Sequence, residues 1–159
     1  ILKNYIPVCK MALRTHSSTA VEKYSQKAAD KCVPLDSELI KEAIPLFTQI
    51  HHCGSVLAEV FFAMMISRIL YGSVPAPGTM LIFSILLATC SIGTPGLPWG
   101  TVMGTLTGIL KFGDSGMALM FAVFALNDAF AAACNATCDG AAALFLTGYV
   151  KRHDFSNRL

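Results

Sequence analysis

Three side chains in the last third of the chain have the types and the spacing to do chemistry. Asp128, Asn135 and Asp139, with Ala131 between them, advance by about 100° per residue on a helix, which gathers all four within an arc of about 80°. They form a polar stripe on an otherwise apolar segment, 115–150, whose charged residues are those two aspartates alone. A carboxylate within a bilayer costs about 2.5–3.5 kcal/mol on insertion scales, so two on one apolar helix need partners from elsewhere in the fold. One reading pairs them with Arg14 or Arg68, or protonates them, merely to hold helices together. The other makes them hard oxygen ligands for a cation, with Asn135 and interrupted backbone supplying the remaining oxygens. The second accounts for more of the sequence, because it also uses Asn135 and the broken segments described next.

The elements that must position these residues are membrane elements. Of 159 residues, 54% are apolar and only 14% are charged, against roughly 45–50% and about 25% in a typical soluble domain. Residues 69–110 contain no Asp, Glu, Lys or Arg. A spanning helix needs about 20 apolar residues, so an integral all-α membrane protein is expected. The net charge of +2, with Lys and Arg concentrated toward the two ends, excludes a nucleic-acid partner, because such modules gather basic residues on one face. The six cysteines read as reduced small hydrophobes rather than as a disulfide framework. The start, Ile1 to Lys10, has no long apolar stretch of signal-peptide type and does not begin with Met, which reads as a fragment.

Four units follow along the chain. Residues 1–42 hold 7 of the 12 basic and 5 of the 10 acidic residues, so this zone touches water or a wet cavity. Two helical pieces, about 1–13 and 18–32, flank Arg14-Thr15-His16-Ser17-Ser18, where clustered hydroxyls favour caps and turns. After a loop at 33–36, residues 38–71 read as one long helix, stopped by the Gly- and Pro-rich stretch 72–78. Two short apolar pieces, 79–89 and 99–110, enclose Cys90-Ser91-Ile92-Gly93-Thr94-Pro95-Gly96-Leu97-Pro98, where no continuous helix is comfortable. Pieces of that length fit re-entrant arms better than spans. A polar tip in the bilayer is tolerated only where protein or a wet cavity satisfies its backbone. The last helix, about 115–150, ends in Lys151 and Arg152, which favours a cytoplasmic end. The order is hairpin (1–32), long helix (38–71), hairpin (79–110), long helix (115–150), a repeat in organisation rather than in residue identity. Inverted repeats with broken helices meeting near the midplane mark secondary transporters.

The stretch from Ser91 to Pro98, with Asp128, Asn135 and Asp139 after it, resembles the second hairpin and last helix of the dicarboxylate/amino acid:cation symporter family, the glutamate-transporter family. Arg14-Thr15-His16-Ser17-Ser18-Thr19 stands where that family has its serine-rich tip. The resemblance runs over essentially the whole chain. It implies the C-terminal transport core, without the N-terminal scaffold helices that make a homotrimer of the full-length protein. It further implies an elevator-type symporter, not an enzyme, in the cell membrane (the inner membrane in a bacterium), with the lipid bilayer and a small-molecule substrate as partners. Sodium, or protons in its place, would be the coupling ion. By resemblance, Asp139 and the carbonyl of Asn135 hold one cation, with carbonyls near Phe47 and His51, while Ser91, Ile92 and Thr94 lend carbonyls to a second. Asp128 takes the substrate ammonium, and Thr15, His16, Ser55, Gly96, Leu97 and Asn135 line the substrate site.

Departures from the family pattern carry information too. Where members have Asn-Met-Asp-Gly-Thr, this chain has His51-His52-Cys53-Gly54-Ser55. A thiol is a poor ligand for a hard cation, so a sodium site using that Asp is expected to be lost. His51 and His52 are either hydrogen-bonded interior residues or proton carriers. Cys134 and Cys138, one turn apart with no further spaced ligand, read as packing. In carriers of acidic substrates an Arg lies on the last helix between the Asp and the Asn; here the position is Ala131, which implies a small neutral amino acid in preference to a dicarboxylate. Arg14 is the other candidate receptor for a carboxylate, although pairing with Asp128 would cancel it. Two competing readings stand beside transport. One is a non-transporting relative that keeps the hairpins for packing or assembly; the other is an intramembrane hydrolase built on Ser17 or Ser91, for which no nucleophile–base spacing is specific.

Overall fold

A computed structural model describes residues 2–32, 37–93, 104 and 107–153, and six α-helices are bounded among these described residues. They are α1 (Leu2–Thr15), α2 (Glu22–Asp30), α3 (Ser37–Ile50), α4 (Cys53–Tyr71), α5 (Pro77–Gly93) and α6 (Asp114–Arg152), with a 3₁₀ turn at Thr19–Val21 before α2. No strand occurs among the described residues. The turn between α1 and α2 falls where the hydroxyl cluster predicts it. His16 ends α1 with a positive φ of 53°, and Ser17 Oγ accepts the Ala20 N–H at 3.1 Å.

Two expectations about helix extent are corrected. The segment 38–71 is two helices rather than one, because the chain breaks at His51-His52. The N–H groups of Gly54 and Ser55, which a continuous helix would give to its own preceding turn, are turned instead to the side chain of Asn135. The apolar helix expected from Thr79 to Thr89 is 17 residues long, Pro77–Gly93, rather than 11. Cys90-Ser91-Ile92 continues the helix because none of these residues lacks a backbone donor or forbids helical φ. Most of the stretch expected to form a hairpin tip and second arm, 94–103 with 105 and 106, lies outside the described residues.

Helix α6 is the axis on which α1, α2, α3 and α4 pack, and α5 lies against α4. Its 39 residues span far more than the roughly 30 Å of a bilayer core at about 1.5 Å per residue. Two buried clusters divide it. Toward its C-terminal half, Ala133, Ala136 and Ala143 pack with Tyr5, Val8 and Ala12 of α1, Ala28 and Ala29 of α2, and Ile40 and Ile44 of α3. Toward its N-terminal end, Met120 and the preceding Phe112 pack with Ala63 and Ile66 of α4 and Met80, Phe83 and Leu87 of α5. Small residues on α6 make the close approach possible: a Cβ on Gly140 would lie 2.3 Å from Tyr5 Cζ. The Tyr5 hydroxyl, buried by that contact, donates to the Ser25 carbonyl at 3.2 Å and ties α1 to α2.

Apolar side chains also cover the exterior. Leu57, Phe61, Met65 and Ile69 project from one stripe of α4, Leu81, Ile82, Ile85 and Leu86 from α5, and Leu126, Phe130 and Phe145 from α6. Contiguous apolar surface on this scale belongs against lipid or other protein, not water. The continuous stretch 37–71 and helix α6 are each long and apolar enough to cross a membrane.

Candidate functional site

The break between α3 and α4 lies beside the middle of α6, where the two packed clusters meet, and the polar residues collect there. Pro45 removes one helical donor from α3, and Thr48 Oγ1 bonds back to the Pro45 carbonyl at 2.9 Å. The helix closes with the His51 N–H on the Phe47 carbonyl at 2.7 Å, and α4 restarts with the Val56 N–H on the His52 carbonyl at 3.0 Å. The first N–H groups of a helix have no partner within it. Here Asn135 provides one from α6: its Oδ1 accepts from the Gly54 N–H at 2.7 Å and the Ser55 N–H at 3.3 Å, while its Nδ2 donates to Ser55 Oγ at 3.0 Å. Asn135 and Ser55 are both buried. The approach needs glycine at 54, since a Cβ there would lie 2.6 Å from Cys134 Cβ and 2.9 Å from the Ala131 carbonyl oxygen.

One turn beyond Asn135, Asp139 is fully buried. Its Oδ1 lies 3.1 Å from His51 Nδ1, and its Oδ2 has no hydrogen-bond partner among the described residues. Burying a carboxylate oxygen without a partner is costly, so this is a position where a bound cation or proton would be strongly stabilised. The Phe47 ring stands edge-on to the His51 ring with centroids 6.3 Å apart. Sodium is the ion that the resemblance implies, and the donor set at Asp139 fits it. Asp139, in contact with His51 at the α3–α4 break, keeps a buried carboxylate oxygen without a hydrogen-bond partner among the described residues, the kind of ligand a hard cation takes.

On the other side of Asn135, Asp128 lies 3.7 Å from His16 Nδ1. His16 thus takes the place expected for Arg14, which makes no ion pair with Asp128 among the described residues. Thr15 is exposed, with its Oγ1 3.1 Å from the Met11 carbonyl that it bonds. Asp128, Ser55 and Glu59 together line a small cavity of about 10 Å³ with Asn127 and Ala131, about enough for one water molecule. The structure therefore brings His16, Ser55, Asp128, Asn135, His51 and Asp139 to one polar seam along α6, with Phe47 against His51, while Thr15 stays exposed and bonds the Met11 and Ser17 carbonyls. Ser91 and Ile92 fall in the last turn of α5, where carbonyls have no donor within the helix. Thr94, Gly96 and Leu97 lie outside the described residues.

Sequence reasoning missed Glu59. It is 1% exposed, and neither carboxylate oxygen has a hydrogen-bond partner among the described residues. Its signal was present, as a lone acid in the apolar run from Val56 to Met65. An acid so placed marks function by default inside a membrane.

No curated protein and no solved structure matches the chain. Residues 1–148 match the family model described as the sodium:dicarboxylate symporter family, and the chain belongs to that family.

Proposed function

We propose that this chain forms the transport core of a sodium-coupled symporter whose substrate is a small neutral amino acid. Family membership implies cation-coupled transport of dicarboxylates or amino acids, and transport rather than enzymatic chemistry. The observation that carries the sodium reading is the buried Asp139, with one oxygen on His51 and the other unpartnered. Asp139 would hold the ion together with carbonyls at the α3–α4 break. Asn135 fastens the start of α4 across this seam, so ion binding at Asp139 is mechanically linked to the position of Ser55.

The substrate reading rests on Asp128 and on what stands beside it. A substrate ammonium would replace His16 as the partner of the Asp128 carboxylate, and Ser55 would offer its hydroxyl from the same cavity. The position one turn after Asp128 toward Asn135 is Ala131, which presents no charge to a second substrate carboxylate. Leaving that carboxylate buried and unpaired costs several kcal/mol, enough to turn a micromolar ligand into a negligible one. The test is competition against labelled serine bound to the purified chain. Alanine, serine and threonine are expected to displace it, and aspartate and succinate are not. Displacement by aspartate or succinate, with none by alanine or threonine, would refute the neutral-substrate reading and point to Arg14 as carboxylate receptor.

A further inference from the structure

The fold assembles a group of thiols that no spacing in the sequence announces. Cys53 opens α4, and Cys134 and Cys138 lie one turn apart on α6. Their three sulfur atoms all lie within 4.8 Å of one another. The pair on α6 reads as packing when taken alone. The third sulfur arrives because Gly54 lets the start of α4 close onto Cys134, and Asn135 then fixes it there by two N–H bonds. All three cysteines are free thiols.

We propose that Cys53, Cys134 and Cys138 form a binding site for a soft, thiophilic d¹⁰ cation such as zinc, cadmium or cuprous copper. Three arguments support it. The donors are three sulfurs with no carboxylate among them, which selects soft ions over sodium or calcium. Metal–sulfur bonds of about 2.3 Å put the sulfurs of a trigonal or tetrahedral site roughly 3.8–4.0 Å apart, so these side chains close onto an ion by moving about 1 Å or less. The sulfurs are also not sealed inside the protein, because Cys134 is exposed on an open groove of about 430 Å³ between α4 and α6. On binding, each coordinating thiol releases its proton to water and no electron is transferred. The ion would pin the start of α4 to α6, two residues after His51.

Cadmium titration of the reduced, purified chain tests this directly. One cadmium ion per chain is expected, with the ultraviolet thiolate-to-cadmium absorption band and a cadmium NMR shift characteristic of three sulfur ligands. C134S and C138S should each abolish the three-sulfur signature, and C9S and C90S should keep it. A wild-type chain with no band, a signature of two sulfurs or fewer, or a band that survives in C53S, C134S and C138S alike would overturn the proposal. The wild-type measurement decides independently of how any variant folds. The site stands apart from the transport reading: loss of the cadmium signature with intact sodium-linked serine binding removes only the thiol site.

Discussion

Removing the Asn135 side chain should unfasten α4 from α6, and the size of the effect follows from what it holds. N135A leaves two buried backbone N–H groups, Gly54 and Ser55, without their acceptor and removes the donor to Ser55 Oγ. A buried donor left unsatisfied costs about 1–3 kcal/mol. The bond at 3.3 Å is the weaker of the two, so the expected loss is about 2–5 kcal/mol. S55A removes a single bond and should cost about 1–3 kcal/mol. Because that bond is already gone in N135A, the double variant should be close to N135A itself, with a coupling equal in size to the S55A loss, about 1–3 kcal/mol. Reversible unfolding in mixed detergent micelles measures all four stabilities, and hydrogen exchange at the Gly54 and Ser55 amides reads the cause. A loss below about 1 kcal/mol for N135A, or additive effects of the two substitutions, would refute the claim that Asn135 caps α4.

Two further predictions concern the architecture. G54A should destabilise by about 1–3 kcal/mol through overpacking against Cys134 and Ala131. G78A, with nothing within 4 Å of the added Cβ, should be neutral or stabilising by up to about 1 kcal/mol in the same unfolding measurement; equal effects at the two sites would contradict the close packing. The two-hairpin reading requires the tips near 14–18 and 91–98 to approach each other across α6, so S17C and T94C in a background without native cysteines should cross-link. Failure under any condition, with the protein folded, would count against re-entrant hairpins.

The parts of this molecule that follow from local rules were legible in its sequence. The stripe of Asp128, Asn135 and Asp139 depends only on helical period, and the extent of α6 only on an uninterrupted apolar run. The turn at 14–18 declares itself through its hydroxyls. The break at His51-His52 does not, because apolar residues continue on both sides and its cause is Asn135, 81 residues from Gly54. The same distance hid the third thiol at Cys53. Arg14 is the stronger charge and the obvious partner for Asp128, yet His16, in a left-handed conformation at the end of α1, points to it. Glu59 was visible and passed over, since its burial is set by α6 packing rather than by its neighbours in sequence.

The central claim is that a cation at Asp139 and a small amino acid at Asp128 are linked through the Asn135 seam. Calorimetric titration of serine into the purified chain, in sodium and in choline at equal ionic strength, tests it most directly. The account predicts serine binding tighter in sodium by about 5–150-fold, the usual range of coupling between sites, and sodium binding tightened by serine by the same factor. D139N should reduce that factor to near one while retaining weak serine binding through Asp128. Serine affinity equal in sodium and choline, or a sodium effect that survives in D139N, would contradict the account.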